Sequence, residues 1–297
     1  MPERPVVAAA GGVRSVNPKT IVITGGNSGI GLATARAMAA RGWRVVITGR
    51  DRARLDRARA LIARAGPADV DLRIGDFREL ASVRALAAAL SGEPRIDVLL
   101  NNAGIVLSRR RVTADGNDMM LQVNHLAPFL LTNLLLDKLT REAPARIVVV
   151  SSRFHLRATH HGFDDFQFEH GFSLADAYAR TKLYNVMFTR ELARRLAGTG
   201  VTANALHPGF VRTRIGRDGD LSGVTALLWS LAVRLNARPP GEGARVPVFL
   251  ATAPGVEQVS GAYFARDLAP RPVNPLAEDE RASRRLWELS AALVGLA

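Results

Sequence analysis

The sequence contains no cysteine, and this absence excludes several kinds of chemistry. Disulfide bonds, thiolate metal sites and a cysteine nucleophile are all ruled out. The absence also suits a reducing compartment. We therefore expect a cytoplasmic protein.

Long apolar runs are missing as well. The longest apolar stretches of helical character, 126–136 and 224–235, are too short to span a hydrocarbon core of about 30 Å. The apolar patch at 6–10 is too short for the core of a signal peptide. We expect residues 1–18 to form a flexible tail, and any membrane contact to be peripheral.

The charge is unbalanced, with 40 Lys and Arg residues against 27 Asp and Glu residues, a net charge of +13. One interpretation is a basic surface for nucleic acid or anionic lipid. The arginines are spread along the chain, however, and no basic stripe interleaved with aromatic residues occurs. We favour the interpretation that arginine is simply used throughout this sequence. The positive charge would also attract an anionic cofactor, and we expect no nucleic-acid partner.

Lysine is scarce, with only three in the chain. One of them, Lys182, follows Tyr178 by four residues in the stretch AYARTKLYN. Side chains four residues apart share one face of a helix. A free tyrosine has a pKa of about 10, and a nearby ammonium group lowers it. The pair therefore predicts a tyrosine that exchanges protons near neutral pH.

Short apolar strands alternate with amphipathic helices along most of the chain. This alternation predicts an α/β protein, with one doubly wound parallel sheet covered by helices on both faces. We assign residues 19–297 to a single domain, with a lid at about 212–240 and a final helix at about 277–295. Ligands of such sheets bind beyond the carboxyl ends of the strands.

The stretch TGGNSGIG, at 24–31, joins the first predicted strand to the first helix. Three of its glycines, Gly25, Gly29 and Gly31, permit a tight turn and a close approach of the backbone to a ligand. The helix N-terminus that follows favours negative charge. This context predicts a site for the pyrophosphate of a dinucleotide.

The second predicted strand ends in ITGRDR, which bears on the choice of cofactor. Gly49 stands near the position where NAD-binding sheets carry an acidic residue, and Arg50 follows it. A guanidinium group binds a 2′-phosphate directly. We therefore predict NADP rather than NAD, with Asp51 acting as a helix cap.

Ser151 and Ser152 end the fifth predicted strand, where a hydroxyl group can hold a carbonyl or alcohol oxygen. A turn or a cap is the alternative interpretation. A serine hydrolase is rejected because the sequence has no G-x-S-x-G elbow.

Together these motifs resemble those of the classical short-chain dehydrogenases/reductases over roughly residues 19–265. The family has a Rossmann-type sheet and transfers a hydride between a nicotinamide cofactor and a carbonyl/alcohol pair. In chain order the motifs are TGGNSGIG at 24–31, GDF at 75–77, NNAG at 101–104, VNHLAPFLLT at 123–132, IVVVSS at 147–152, YARTK at 178–182 and HPGFVRT at 207–213.

The resemblance implies four catalytic residues. Tyr178 would be the general acid/base, and Lys182 would lower its pKa and bind the nicotinamide ribose. Ser152 would hold the substrate oxygen, or Ser151 if the register is shifted by one. Asn124 would hold a water that relays protons to Lys182.

The resemblance and the Arg50 argument together give a cofactor-binding set and no metal site. The set comprises Gly25, Asn27, Ser28, Gly29, Ile30, Gly31, Arg50, Asp76, Phe77, Asn102, Ala103, Gly104, Tyr178, Lys182, Pro208, Gly209, Val211 and Thr213. Four histidines between residues 155 and 170 lack any supporting metal-binding pattern, so we interpret them as loop residues.

Within the family the chain most resembles the retinol dehydrogenase-like group, through stretches such as FDDFQFE and GAYFARDLAPRPVNP. It departs from that group at Arg153 and Phe154 and in the insertion 153–175. We expect an NADP(H)-dependent oxidoreductase acting on a lipophilic carbonyl or alcohol. The alternatives are a tailoring ketoreductase of secondary metabolism and a non-catalytic NADP-binding sensor or scaffold.

Two further features leave alternatives open. The apolar stretch 221–236 is either a lid over a lipophilic substrate, which we favour, or a helix on a membrane surface. The family forms both homodimers and homotetramers, and the sequence does not choose between them.

Overall fold

The structure is a computed structural model that describes residues 18–211 and 237–296. Its seven strands form one sheet in the order β3-β2-β1-β4-β5-β6-β7, and every neighbouring pair is parallel. The predicted doubly wound parallel sheet is therefore confirmed. The strands are β1 Thr20–Thr24, β2 Arg44–Gly49, β3 Val70–Ile74, β4 Val98–Asn101, β5 Ala145–Val150, β6 Val201–Leu206 and β7 Tyr263–Phe264.

Helices connect the strands and cover both faces of the sheet. Most of the predicted tail, the apolar stretch 221–236 and Thr213 lie outside the described residues. The helices are α1 Gly29–Ala39, α2 Arg52–Ala63, α3 Leu80–Ser91, α4 Met119–Arg141, α5 Leu174–Arg195, α6 Pro240–Gly243, α7 Arg245–Thr252 and α8 Glu280–Val294.

The central strands are largely apolar because both of their faces are buried. In β1, Val22 packs into a core formed with α3, α4, α5 and α8, whereas Ile21 and Ile23 face a second core formed with α1, α2 and α7. Successive side chains of a strand point to opposite faces, which accounts for this division.

β1 and β4 are neighbours in the sheet. From β1 the following strands are added in one direction, through β2 to β3, whereas from β4 they are added in the opposite direction, through β5 and β6 to β7. Such a switch point leaves a crevice beyond the carboxyl ends of the strands. The glycine turn that follows β1, the NNAG stretch that follows β4 and the serines that follow β5 all lie at this edge.

Helix α4 is long and apolar enough to cross a membrane, which the sequence pattern did not predict, and 78% of its most apolar window is buried in the protein. It is a core helix, packed between α3 and α5 on one face of the sheet. A segment near its N-terminus, Gln122–Leu126, is π-helical and contains Asn124. One-turn π-helical segments occur frequently at functional sites.

His125 neighbours Asn124 and is fully buried. Its Nε2 lies 2.8 Å from the Ser290 hydroxyl oxygen of α8, and its ring packs against Phe129, Tyr184 and Phe188. Burial lowers the pKa of His125 to about 3, although a hydrogen bond with Asn185 opposes this shift. The imidazole is therefore neutral in the folded protein.

We predict a pH dependence of stability that originates at His125. Below a pH of about 6.5 the unfolded chain protonates this histidine and the folded chain does not, so acid favours unfolding. The contribution of His125 to the free energy of unfolding should fall by about 2 kcal/mol between pH 7 and pH 5. Chemical denaturation at both pH values measures this loss.

The variant His125→Phe should show a smaller loss than the parent, by roughly this amount. His160 is exposed on the surface, so His160→Phe is the matched control for exchanging an imidazole for a phenyl ring outside the core. Equal pH dependence in His125→Phe and the parent would contradict the prediction.

Candidate functional site

The turn after β1 needs glycine for reasons of conformation and space. Gly25 and Gly29 have φ angles of +65° and +54°, in the left-handed region that favours glycine. A Cβ atom on Gly31 would lie 2.5 Å from the carbonyl oxygen of Gly25 and 2.7 Å from Nδ2 of Asn102. The turn therefore closes tightly over the N-terminus of α1, where an anion is favoured.

A threonine hydroxyl joins this turn to the NNAG stretch. Oγ1 of Thr24 accepts hydrogen bonds from the backbone N–H groups of Asn102, at 2.9 Å, and Ala103, at 3.0 Å. Nδ2 of Asn102 donates to the Thr24 carbonyl oxygen at 2.8 Å. We missed the role of Thr24, although it opens the glycine motif.

A cavity of about 460 Å³ runs along the carboxyl edge of the sheet. Most residues of the predicted site line it, whereas Gly31 and Asn124 lie behind its wall and Thr213 is outside the described residues. The predicted residues on the wall are Gly25, Asn27, Ser28, Gly29, Ile30, Arg50, Asp76, Phe77, Asn102, Ala103, Gly104, Ser152, Tyr178, Lys182, Pro208, Gly209 and Val211.

Tyr178 and Lys182 project from one face of α5 into this cavity. Nζ of Lys182 lies 5.7 Å from the centroid of the Tyr178 ring. The same nitrogen donates a hydrogen bond to the carbonyl oxygen of Val150, at the end of β5, at 3.3 Å. The last residue of a strand thus fixes the direction of the lysine.

The two serines after β5 have different tasks. Oγ of Ser151 is buried and donates to the backbone carbonyl oxygen of Lys182 at 2.7 Å, so it anchors α5 to the sheet. Oγ of Ser152 accepts from the backbone N–H of Phe154 at 3.2 Å, and its hydroxyl acts on Tyr178 by lowering the pKa of the phenol. Ser152 is therefore the serine that can share a substrate oxygen with Tyr178.

Burial dominates the ionisation of the pair. It raises the pKa of Tyr178 to about 12, with the hydrogen bond from Ser152 opposing the shift, and it lowers the pKa of Lys182 to about 8. We expected the ammonium group to lower the pKa of the tyrosine. In this arrangement the pKa of Tyr178 is raised instead, because burial disfavours the phenolate and the hydrogen bond from Ser152 offsets only part of this effect.

Asn124 uses its side chain to hold the NNAG stretch. Its Oδ1 accepts from the backbone N–H of Ile105 at 2.7 Å, and its Nδ2 donates to the carbonyl oxygen of Ile105 at 3.0 Å. A Cβ atom on Gly104 would lie 3.1 Å from this Oδ1 and 3.6 Å from Nζ of Lys182. Asn124 thus brings Gly104 close to the lysine, while its predicted relay water stays a prediction.

The far end of the cavity is cationic. Nε of Arg78 donates to both carboxylate oxygens of Asp76 at 3.0 Å. Burial alone would raise the pKa of Asp76, but the hydrogen bonds from Arg78 and the charges of Arg78 and Arg50 lower it. Arg50 therefore lies within electrostatic reach of Asp76.

The start of α2 completes this end. Asp51 is the N-cap, and its side chain accepts from the backbone N–H of Arg54 at 2.9 Å, which confirms the predicted cap. Arg54 and Arg57 follow on one face of α2, and both line the cavity together with Arg78. We missed these three arginines, although helical spacing from Asp51 would have indicated Arg54 and Arg57.

The other end of the cavity is apolar and aromatic. The ring of Phe154 meets that of Tyr178 edge to face, with centroids 5.5 Å apart. The guanidinium of Arg157 lies 4.6 Å from the centroid of Phe154. From the sequence, Phe154 is identified only as a position at which the chain departs from the retinol dehydrogenase-like group. Other apolar side chains on the cavity wall include Ile105, Val123 and Phe210.

The histidines of the insertion have separate surroundings. His155 is buried, Nε2 of His161 lies 2.9 Å from the carbonyl oxygen of Leu276, and His160 is 3.8 Å from Asp176. Among residues 18–211 and 237–296, no three potential ligand side chains meet in a metal site.

Comparison with known proteins is consistent with this geometry. A model of the family described as short chain dehydrogenase matches residues 19–220. Retinol dehydrogenase 14 of Homo sapiens is 44% identical over 293 residues, which cover 94% of this chain and 87% of that protein. Retinol dehydrogenase 13 of Homo sapiens is 42% identical over 283 residues, covering 94% and 85%.

Solved structures share the fold. An uncharacterized protein from Mycobacterium Paratuberculosis is similar with a TM-score of 0.73 and 32% identity over 95% of each chain. A variant of actinorhodin polyketide ketoreductase, in a structure with NADPH, has a TM-score of 0.63 and 27% identity, covering 84% of this chain and 95% of that one.

We predict that Lys182 titrates with a pKa of about 8, because burial disfavours its charged form. Since the chain has only three lysines, NMR of the protein with isotope-labelled lysine would show few side-chain signals. One signal should have a midpoint near this value, and Lys182→Met should remove it. A spectrum in which no lysine titrates below its ordinary range would contradict the prediction.

Proposed function

Because this chain belongs to the short-chain dehydrogenase family and is retinol dehydrogenase-like, we propose that it transfers a hydride between NADP(H) and a lipophilic carbonyl/alcohol pair. One observation carries the proposal. Ser152 and Tyr178 lie on the wall of one cavity, where the Ser152 hydroxyl favours the ionised form of Tyr178, and the same wall carries the glycine turn, a group of arginines and aromatic side chains.

The residues present fit a nicotinamide dinucleotide. The turn at Gly25 and Gly29 leads into the N-terminus of α1, which would hold the pyrophosphate. Asp76 and Phe77 would lie at the adenine, and Lys182 would bind the nicotinamide ribose. When bound, the nicotinamide supplies or accepts the hydride.

Side chains of the protein would bind the substrate oxygen and transfer its proton. The hydroxyl oxygen of Ser152 accepts from the backbone N–H of Phe154, and its hydrogen remains available to Tyr178 and to a substrate oxygen beside it. The raised pKa of Tyr178 keeps the phenol protonated at neutral pH, which suits a general acid in carbonyl reduction. Lys182 is then the adjacent group that restores the proton.

The preference for NADP is supported by charge. Arg50, Arg54, Arg57 and Arg78 line the same end of the cavity, and Asp76 forms an ion pair with Arg78. A Cβ atom on Gly49 would lie 3.2 Å from Nδ2 of Asn27, which restricts the room for an acidic side chain there. This end therefore attracts a 2′-phosphate.

The lipophilic character of the substrate is supported by Phe154, which lies against Tyr178, and by Phe210 on the same cavity wall. Apolar surface beside the reacting oxygen favours retinoid-like molecules or long-chain aldehydes and ketones. A tailoring ketoreductase is the second candidate, because a polyketide ketoreductase shares the fold and 27% of the residues.

The proposal is tested by following NADPH oxidation against a panel of retinal, long-chain aldehydes, ketones and polyketide-like diketones. We expect turnover with apolar aldehydes or ketones, whereas turnover confined to diketones would favour the ketoreductase. Binding of NADPH with no turnover across the panel would favour the sensor or scaffold and contradict our proposal.

We predict that Tyr178→Phe lowers turnover by about 100- to 10,000-fold, because it removes the general acid. The affinity for NADPH, measured by fluorescence titration, should stay near that of the parent. Tyr184→Phe is the matched control, since it removes a hydroxyl from the same helix at a residue bonded to His161 and away from the cavity. Full turnover in Tyr178→Phe would overturn the mechanism.

We predict that Arg50→Ser lowers kcat/KM with NADPH by about 10- to 100-fold, as expected for loss of a charge-assisted hydrogen bond. The value with NADH should change little. Arg59→Ser is the matched control, because it removes the same charge from α2 at a position paired with Asp56 and off the cavity wall. Equal losses in the two variants would refute a specific role for Arg50.

A further inference from the structure

Three buried rings lie behind the wall that carries Ser152. His155 belongs to the 3₁₀ turn Arg153–Arg157, Tyr263 to β7, and His207 follows β6. All three are buried, and all three lie off the cavity wall described above. The roles proposed so far do not use them.

His155 holds the backbone of Ser152. Its Nδ1 lies 2.7 Å from the carbonyl oxygen of Ser152, and its backbone N–H donates to the same oxygen at 3.1 Å. Because a carbonyl oxygen only accepts, Nδ1 must carry the hydrogen. Two donors therefore orient the Ser152 carbonyl, while Phe154 orients the hydroxyl of the same residue.

His155 is itself fixed from its other side. Nδ2 of Asn274 donates to the carbonyl oxygens of His155, at 3.0 Å, and Ala158, at 2.8 Å. The ring of His155 meets that of Tyr263 edge to face, with centroids 4.6 Å apart. Burial lowers the pKa of His155, against the opposing hydrogen bond to Ser152, so the ring stays neutral with its hydrogen on Nδ1.

Tyr263 continues the contact to the end of β6. Its ring stacks on that of His207, with centroids 5.5 Å apart, and its hydroxyl lies 2.8 Å from Nδ1 of His207. Burial raises the pKa of Tyr263, so the hydroxyl stays protonated and donates to this nitrogen. His207 directly precedes Pro208 and Gly209, which line the cavity.

We propose that His155, Tyr263 and His207 are positioning residues that hold Ser152 and the segment Pro208–Gly209 in a fixed relative position. The first segment would carry the substrate oxygen and the second the nicotinamide end of the cofactor, so their separation controls hydride transfer. A misplacement of about 1 Å between reacting groups costs roughly 100-fold in rate. The inference rests on the proposed oxidoreductase activity.

The test compares three substitutions of His155. Nδ2 of asparagine occupies nearly the place of Nδ1 of histidine, whereas leucine has no donor and glutamine carries its donor farther from the backbone. We expect His155→Leu and His155→Gln to lower kcat by about 10- to 100-fold with little change in the KM for NADPH. His155→Asn should restore most of the lost rate.

Chemical denaturation of each variant separates this effect from stability. If His155→Leu does not fold, the comparison of His155→Asn with His155→Gln decides the question. Equal turnover in the asparagine and glutamine variants would overturn the role of the Nδ1 hydrogen bond. Parental turnover in His155→Leu would overturn it as well.

Tyr263→Phe tests the other half of the group. It keeps the ring against His155 and removes the bond to His207, so we expect the KM for NADPH to rise more than kcat falls. An unchanged KM would exclude the link to Pro208. Tyr178→Phe in the same assay reports on hydride transfer itself, so a failure of the proposed function is recognised separately.

Discussion

The parallel pairing of β1, β4, β5 and β6 is the constraint on which the site depends. Because these strands run in one direction, their carboxyl ends meet at one edge of the sheet. Residues far apart in the chain, such as Gly25, Asn102 and Ser152, thereby share one cavity. The hydrogen bonds of Thr24 and Ser151 then join neighbouring segments of this edge, so each functional group is held by the strand that precedes it and by its neighbour.

Burial and charge divide the cavity into two environments. Around Tyr178 and Lys182 burial disfavours charge, and both groups shift toward their neutral forms. At the opposite end, arginines of α2 and Arg78 keep the surroundings positive, and Asp51 and Asp76 are engaged in a helix cap and an ion pair. In the proposed function, proton transfer and anion binding would therefore occupy separate parts of one continuous space, which suits a long dinucleotide lying between them.

The buried rings of His155, Tyr263 and His207 lie behind the wall of this cavity. They connect the segment after β5 with the segment after β6 through contacts that do not touch the cavity. The hydrogen bonds of a parallel sheet hold its strands in place but do not hold the loop residues that follow them, so these residues need other contacts. The rings provide such a support, while the pair formed by Asn124 and Ile105 does the same beside β4.

The sequence by itself determined the features that depend on near neighbours: the alternation of strands and helices, the shared face of Tyr178 and Lys182, and the cap at Asp51. These follow from periodicity and local backbone geometry, so the order of the residues is enough to predict them. The tertiary structure alone decided that Ser152 rather than Ser151 faces Tyr178, and that burial raises the pKa of Tyr178. It also brought His155 into contact with the ring of Tyr263, which is distant in the sequence. Contacts between distant residues and the exclusion of water arise only when the elements pack, and no local pattern records them.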